Sequence, residues 1–110
     1  MDIKDLLKIL AYKDGSDLYL STGAPPCAKF QGTLKPLDKV PYQPGEIEKI
    51  ARSLMDEEQN KAFEHDLEMN LAISLPNIGR FRVNIFKQRN ECSIVARNIK
   101  TEIPKFDDLG

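Results

Sequence analysis

The sequence offers little from which to assemble an active site. It has one histidine, His65, and two cysteines, Cys27 and Cys92, far apart and outside any CxxC pair. A lone imidazole with no second ligand or nucleophile placed beside it argues against a metal centre or a nucleophile–base pair. His65 sits among acidic residues at a predicted helix end and reads as an exposed helix-end side chain. None of the six glycines forms a GxGxxG, and no G-x-x-x-x-G-K-[ST] loop is present, so there is no phosphate cradle with its lysine. The runs Asp56-Glu57-Glu58 and Asp107-Asp108 read as helix starts favoured by the macrodipole rather than as acid/base pairs. Met1 to Asp5 lacks the apolar region of a signal peptide, and no apolar run approaches membrane-spanning length. The cysteines read as two buried, reduced core thiols, as expected in the cytoplasm.

What is present describes one ordinary domain. The chain has 110 residues, 41% hydrophobic and 30% charged, enough to bury a single core. The formal net charge of −1 points to neither nucleic acid nor an anionic membrane as partner. That balance conceals a skew. Residues 78–105 hold seven basic side chains against Glu91 and Glu102, so this stretch is +5 and the remainder −6. Such a skew fits an anionic partner, and it equally fits charge complementarity within the fold.

Hydrophobic spacing gives the elements. Ile3, Leu6, Leu7 and Leu10 share one helical face, with Asp2 as cap and Gly15 expected to end the helix in a left-handed conformation. Residues 17–21 alternate as a short strand, and Gly23-Ala24-Pro25-Pro26 interrupts regular structure. Ala28-Lys29-Phe30 and Thr33-Leu34-Lys35 flank Gln31-Gly32 as a tight hairpin. After a proline-rich loop, Pro44 is expected in the first turn of a second helix that buries Ile47, Ile50, Ala51 and Leu54. Asp56 and Gln59 have capping-box spacing for a third helix ending near His65. The period then switches to two: Leu67, Met69, Leu71, Ile73 and Leu75 make one strand face, and Phe81, Val83 and Ile85 another. A turn near Gln88-Arg89-Asn90 leads to a strand from Ser93 to Ile99. Three antiparallel strands in a meander can leave one sheet face uncovered. The order α-β-β-β-α-α-β-β-β is α+β, with no repeat or linker before residue 100.

The candidate chemistry lies in three arginines of the last two strands. Arg80 and Arg82 project to one face, whereas Arg97 shares a face with Val95 and Ile99, where an unpaired charge is expected to be costly. On the residues alone two readings stand. Arg80 and Arg82 occupy a solvated face while Arg97 snorkels or pairs with a carboxylate. Alternatively, the arginines form a permanently charged, bidentate clamp that completes a phosphate site built elsewhere.

Two segments carry a resemblance. Gly15-Ser16-Asp17-Leu18-Tyr19-Leu20-Ser21, followed by Gly23-Ala24-Pro25-Pro26, resembles the opening of the type IV pilus retraction ATPases. Gly79-Arg80-Phe81-Arg82-Val83-Asn84, with Phe86 and Gln88, is similar to a strand of the same family. The likeness runs over essentially the whole chain. Gln88-Arg89-Asn90 and the residues around Ile103-Pro104 and Asp107-Asp108-Leu109 resemble the PilU branch more than the PilT branch. Tyr19 departs from the histidine common at that position in the PilT branch.

The resemblance implies a PAS-like domain with an antiparallel sheet and helices packed on one face, spanning 1–103. Residues 104–110 would begin a linker to a RecA-like ATPase domain, and the parent would be a homo-hexameric secretion-ATPase-like motor of twitching motility. It implies ATP and Mg in the parent and none in this stretch alone, which is expected not to hydrolyse ATP. Arg82 and Arg97, with Arg80 as a weaker candidate, would meet ATP phosphates as the domains close, and the domain would help subunits pack. Implied partners are RecA-like domains of the same and neighbouring subunits, the pilus machine's inner-membrane platform and a second retraction ATPase. The alternative is a PAS-like module that binds a small ligand or a partner and takes no part in hydrolysis.

Overall fold

The computed structural model describes residues 2–99. The expected boundary between a domain ending at 103 and a linker from 104 therefore lies outside the described residues. Within them, six strands form one antiparallel sheet in the order β3-β2-β1-β6-β5-β4. The strands are β1 (Asp17–Leu20), β2 (Cys27–Phe30), β3 (Thr33–Pro36), β4 (Glu68–Leu75), β5 (Gly79–Gln88) and β6 (Glu91–Ile99). Three helices, α1 (Ile3–Tyr12), α2 (Glu46–Leu54) and α3 (Glu57–Asp66), complete the α+β fold.

Alternation sets which sheet face the helices cover. Leu18 and Leu20 of β1, Ala28 of β2, Phe81, Val83 and Ile85 of β5, and Cys92, Ile94 and Ala96 of β6 are all buried. They pack with Ile3, Leu6, Leu7 and Leu10 of α1, Ile47 and Ala51 of α2, Met55, and Phe63 of α3. Side chains of opposite parity on the same strands face away from this core. Edge strand β4 presents Met69, Leu71, Ile73 and Leu75 to the core only half-buried.

Local sequence accounts for most boundaries. The Asp2 side chain accepts from the Lys4 amide, starting α1. At the other end Asp14, not Gly15, takes the left-handed conformation, with φ of 56°. The Asp14 and Gly15 amides donate to the carbonyls of Ala11 and Leu10, a Schellman closure. Glycine follows because a Cβ there would lie 2.6 Å from Leu10 Cδ1 and 2.9 Å from Phe30 Cε1. The expectation named the right terminator for the wrong reason: space, not φ, selects Gly15.

Two further boundaries shift. Pro44 precedes α2, whose cap is Gly45 in the left-handed region, and Ile50 and Leu54 are only half-buried. Leu67 does not begin β4; it caps α3 at φ 58° and is exposed. The Asp56–Gln59 capping box forms as expected. The hairpin turns place positive φ at Gln31-Gly32 and Arg89-Asn90, as two-residue turns between right-twisted strands demand.

A polar cluster ties α2 and α3 to the end of the sheet. Lys87 Nζ lies 3.1 Å from Glu48 Oε1, and Arg52 bridges Glu48 and Glu64. The hydrogen bond from Lys87, with the nearby charges of Lys87 and Arg52, holds the Glu48 carboxyl below its ordinary value despite partial burial. Burial and the Glu48 carboxylate push the Cys92 thiol up, keeping it protonated and inert. Cys92 is the buried core thiol expected; Cys27 is only half-buried and faces the other side of the sheet.

Candidate functional site: the open face of the sheet

The face turned away from the helices carries the charged side chains. Antiparallel register aligns them into rows, because directly opposed residues point the same way. One row runs Lys29 of β2, Asp17 of β1, Arg97 of β6, Arg82 of β5 and Ala72 of β4. The adjacent row runs Cys27, Tyr19, Val95, Asn84 and Asn70. Arg80 stands one pleat beyond Arg82, between Ile99 and Ser74.

All three arginines therefore share one face. Val95 and Ile99 are on that face too, so the apolar environment expected around Arg97 is not a core. Its side chain is 74% exposed, and its Nε donates to Asp17 Oδ1 at 3.3 Å. Desolvation costs little there, and the carboxylate offsets the charge.

Among the described residues Arg82 has no such partner. It lies directly opposite Arg97, where Cα atoms are about 5 Å apart, and like charges so placed destabilise a sheet. Among the described residues neither Arg82 nor Arg80 makes an ion pair or a side-chain hydrogen bond. Asn84 is held by Asn70 at 2.9 Å and Glu68 at 3.2 Å, which fixes the wall beside Arg82. Asn70, Leu71, Arg82, Val83, Asn84, Val95 and Arg97 line a shallow hollow of about 560 Å³. An open hollow with two neighbouring guanidinium groups can bind an anion by charge and by fork-shaped hydrogen bonding. Among the described residues, none of the side chains lining it is a general base or a nucleophile.

No cluster of three or more His, Cys, Asp or Glu residues among the described residues is placed to hold a metal. His65 is exposed in the last turn of α3. Sequence reasoning brought Arg80, Arg82 and Arg97 forward but missed Asp17 and Lys29. Asp17 is an acidic residue in an alternating strand; nothing local pairs it with a residue 80 positions away.

No family model matches the chain. The type IV pilus ATPase PilU of Pseudomonas aeruginosa is 39% identical over 109 residues, which is 99% of this chain and 28% of that protein. The retraction ATPase PilT of the same organism is 33% identical over 110 residues, covering 100% of this chain and 32% of PilT. A crystal structure of the pilus retraction motor PilT with bound ADP superimposes with a TM-score of 0.83 at 32% identity, over 100% of this chain and 32% of that one. The chain thus spans 28% to 32% of the length of these relatives. Among the described residues no helix is long and apolar enough to cross a membrane.

Proposed function

Starting from a chain homologous over its whole length to the N-terminal region of type IV pilus retraction ATPases, we propose that this domain completes a nucleotide site housed mainly in a RecA-like domain. Arg82 and Arg97 meet the phosphates of ATP, and Arg80 adds positive potential behind them. The observation that carries this reading is Arg82, set against Arg97 and, among the described residues, without a carboxylate of its own. A fold retains such a repulsive pair at a cost, and an anion between the two guanidinium groups removes that cost.

ATP and its Mg ion supply the phosphoryl chemistry in the parent, and the free energy for movement comes from its hydrolysis. This domain contributes positive charge, orientation and closure. The open face can receive phosphates because the helices occupy the other one. The parent works as a homo-hexameric ring in the cytoplasm, at the inner-membrane platform of the pilus machine, in concert with a second retraction ATPase. In that ring the domain also packs against the RecA-like domains of its own and neighbouring subunits. The PilU-like character of the chain is supported by the higher identity to PilU.

The test is turnover. Arg82→Ala in the full-length protein is expected to lower the ATPase rate by roughly 100- to 1000-fold, the range for removing a preorganised donor to developing charge. Sedimentation should show the ring intact. A rate equal to the parent's overturns the proposal.

A further inference from the structure

Asp17 is the one buried charged residue among those described, at 8% exposure. It sits between Lys29 and Arg97 in the cross-strand row, so charge along that row runs plus, minus, plus, plus from Lys29 to Arg82. Its Oδ1 receives a hydrogen bond from Arg97 Nε at 3.3 Å. Only the Nε of Arg97 is engaged. Of the five N–H donors of a guanidinium, the four on Nη1 and Nη2 have no partner among the described residues.

We infer that Asp17 is a positioning residue for the anion site, anchoring Arg97 by its Nε so that the Nη groups stay available beside Arg82. This inference rests on the proposed function and deepens it. An arginine that is 74% exposed and repelled by its cross-strand neighbour would otherwise turn into solvent. Asp17 can restrain it because the Asp17 side chain is itself only 11% exposed. The carboxylate also confines the unbalanced charge to the Arg97–Arg82 end of the row, where an incoming anion extends the alternation.

The test is a double-mutant cycle read by binding of inorganic tripolyphosphate to this chain at low ionic strength, without nucleotide or hydrolysis. In the wild type, Arg97→Ala is expected to weaken binding by roughly fivefold or more. In an Asp17→Asn background the same substitution is expected to change it by less than about twofold, because the anchored geometry is already lost. The Arg97 Nε–H resonance should be protected from exchange in the wild type and lose that protection in Asp17→Asn. An equal effect of Arg97→Ala in both backgrounds overturns the inference, as does an Nε–H signal that ignores Asp17→Asn. Binding indifferent to both Arg82→Ala and Arg97→Ala in the wild type overturns the proposed function, and this inference with it. If Asp17→Asn does not fold, Asp17→Glu serves the same cycle, since it keeps the charge and displaces the carboxylate by one methylene.

Discussion

Glu48 shows how one side chain can tie a helix to a sheet. It belongs to α2, yet it accepts from Lys87 of β5 and lies near Arg52 and the Cys92 thiol. Its carboxyl is held below the ordinary value of 4.5, chiefly by the Lys87 hydrogen bond. The folded state therefore binds this proton less readily than the unfolded chain does. The resulting stabilisation is fully present above 4.5 and is lost as pH falls through the lower folded value. Glu48→Gln should lower the urea midpoint near neutral pH, and the gap to the wild type should close on acidification. A gap that is constant with pH would show that Glu48 acts through packing alone. Neighbouring Cys92 contributes none of this pH dependence, because burial keeps its thiol neutral throughout the range.

At the scale of elements, side chains terminate and join the helices while cross-strand pairs decide the character of the sheet. Asn60 of α3 sets its Nδ2 within 3.1–3.3 Å of the carbonyls of Arg52, Met55 and Asp56, and its Oδ1 accepts from Arg52 Nη1 at 3.2 Å. It thereby satisfies the carbonyls exposed where α2 stops. Asn60→Ala should cost about 1–3 kcal/mol in urea unfolding, chiefly by leaving the Met55 carbonyl without its donor, since the Arg52 and Asp56 carbonyls keep the amides of Met55 and Asn60. Arg82 predicts the opposite sign. Replacing it with threonine, a good strand residue, relieves the repulsion from Arg97 and should raise stability by about 0.2–1 kcal/mol. A loss of stability in Arg82→Thr would remove the main argument for an anion at that position. A residue that stabilises the domain by its removal and disables turnover by the same change is the pattern expected of a functional side chain.

The whole molecule is a sheet with one covered and one open side, and its stability should be graded accordingly. β1, β5 and β6 lie inside the sheet and carry most of its buried side chains, whereas every residue of edge strand β3 is exposed. Amide hydrogen exchange is expected to be slowest in β5 and β6, intermediate in β4, and fastest in β3. Protection of β3 equal to that of β6 would mean that the sheet opens only as one unit. This layout suits the proposed role, since the rigid centre of the sheet carries both Arg82 and Arg97 and holds their backbones at fixed spacing.

Much of this was legible in the chain. Period two in residues 67–75 and 80–86 placed Arg80 and Arg82 on the side opposite Phe81 and Val83, because side-chain alternation is a local property of a strand. The Asp56–Gln59 box and the Ile3-Leu6-Leu7-Leu10 face were equally local. The errors arose where neighbours decide. Arg97 was expected in an apolar setting because its strand alternates between two partly apolar faces, Ile94 and Ala96 against Val95 and Ile99. Only the helices, packed on the Ile94 side, settle which face is core. Gly15 was assigned a backbone role when the side chains of Leu10 and Phe30 leave it no room.

The sequence by itself determined the secondary structure, the side of β5 that bears charge, and the absence of a phosphate loop in these 110 residues. Tertiary structure alone decided that β1 lies beside β6. That single adjacency brings Asp17 to Arg97 across 80 positions of chain, while Arg82, opposite Arg97, has no ion-pair partner among the described residues. The physical reason is range. Periodicity and capping act within a turn or a pleat, whereas strand order follows from how the whole apolar surface is buried at once.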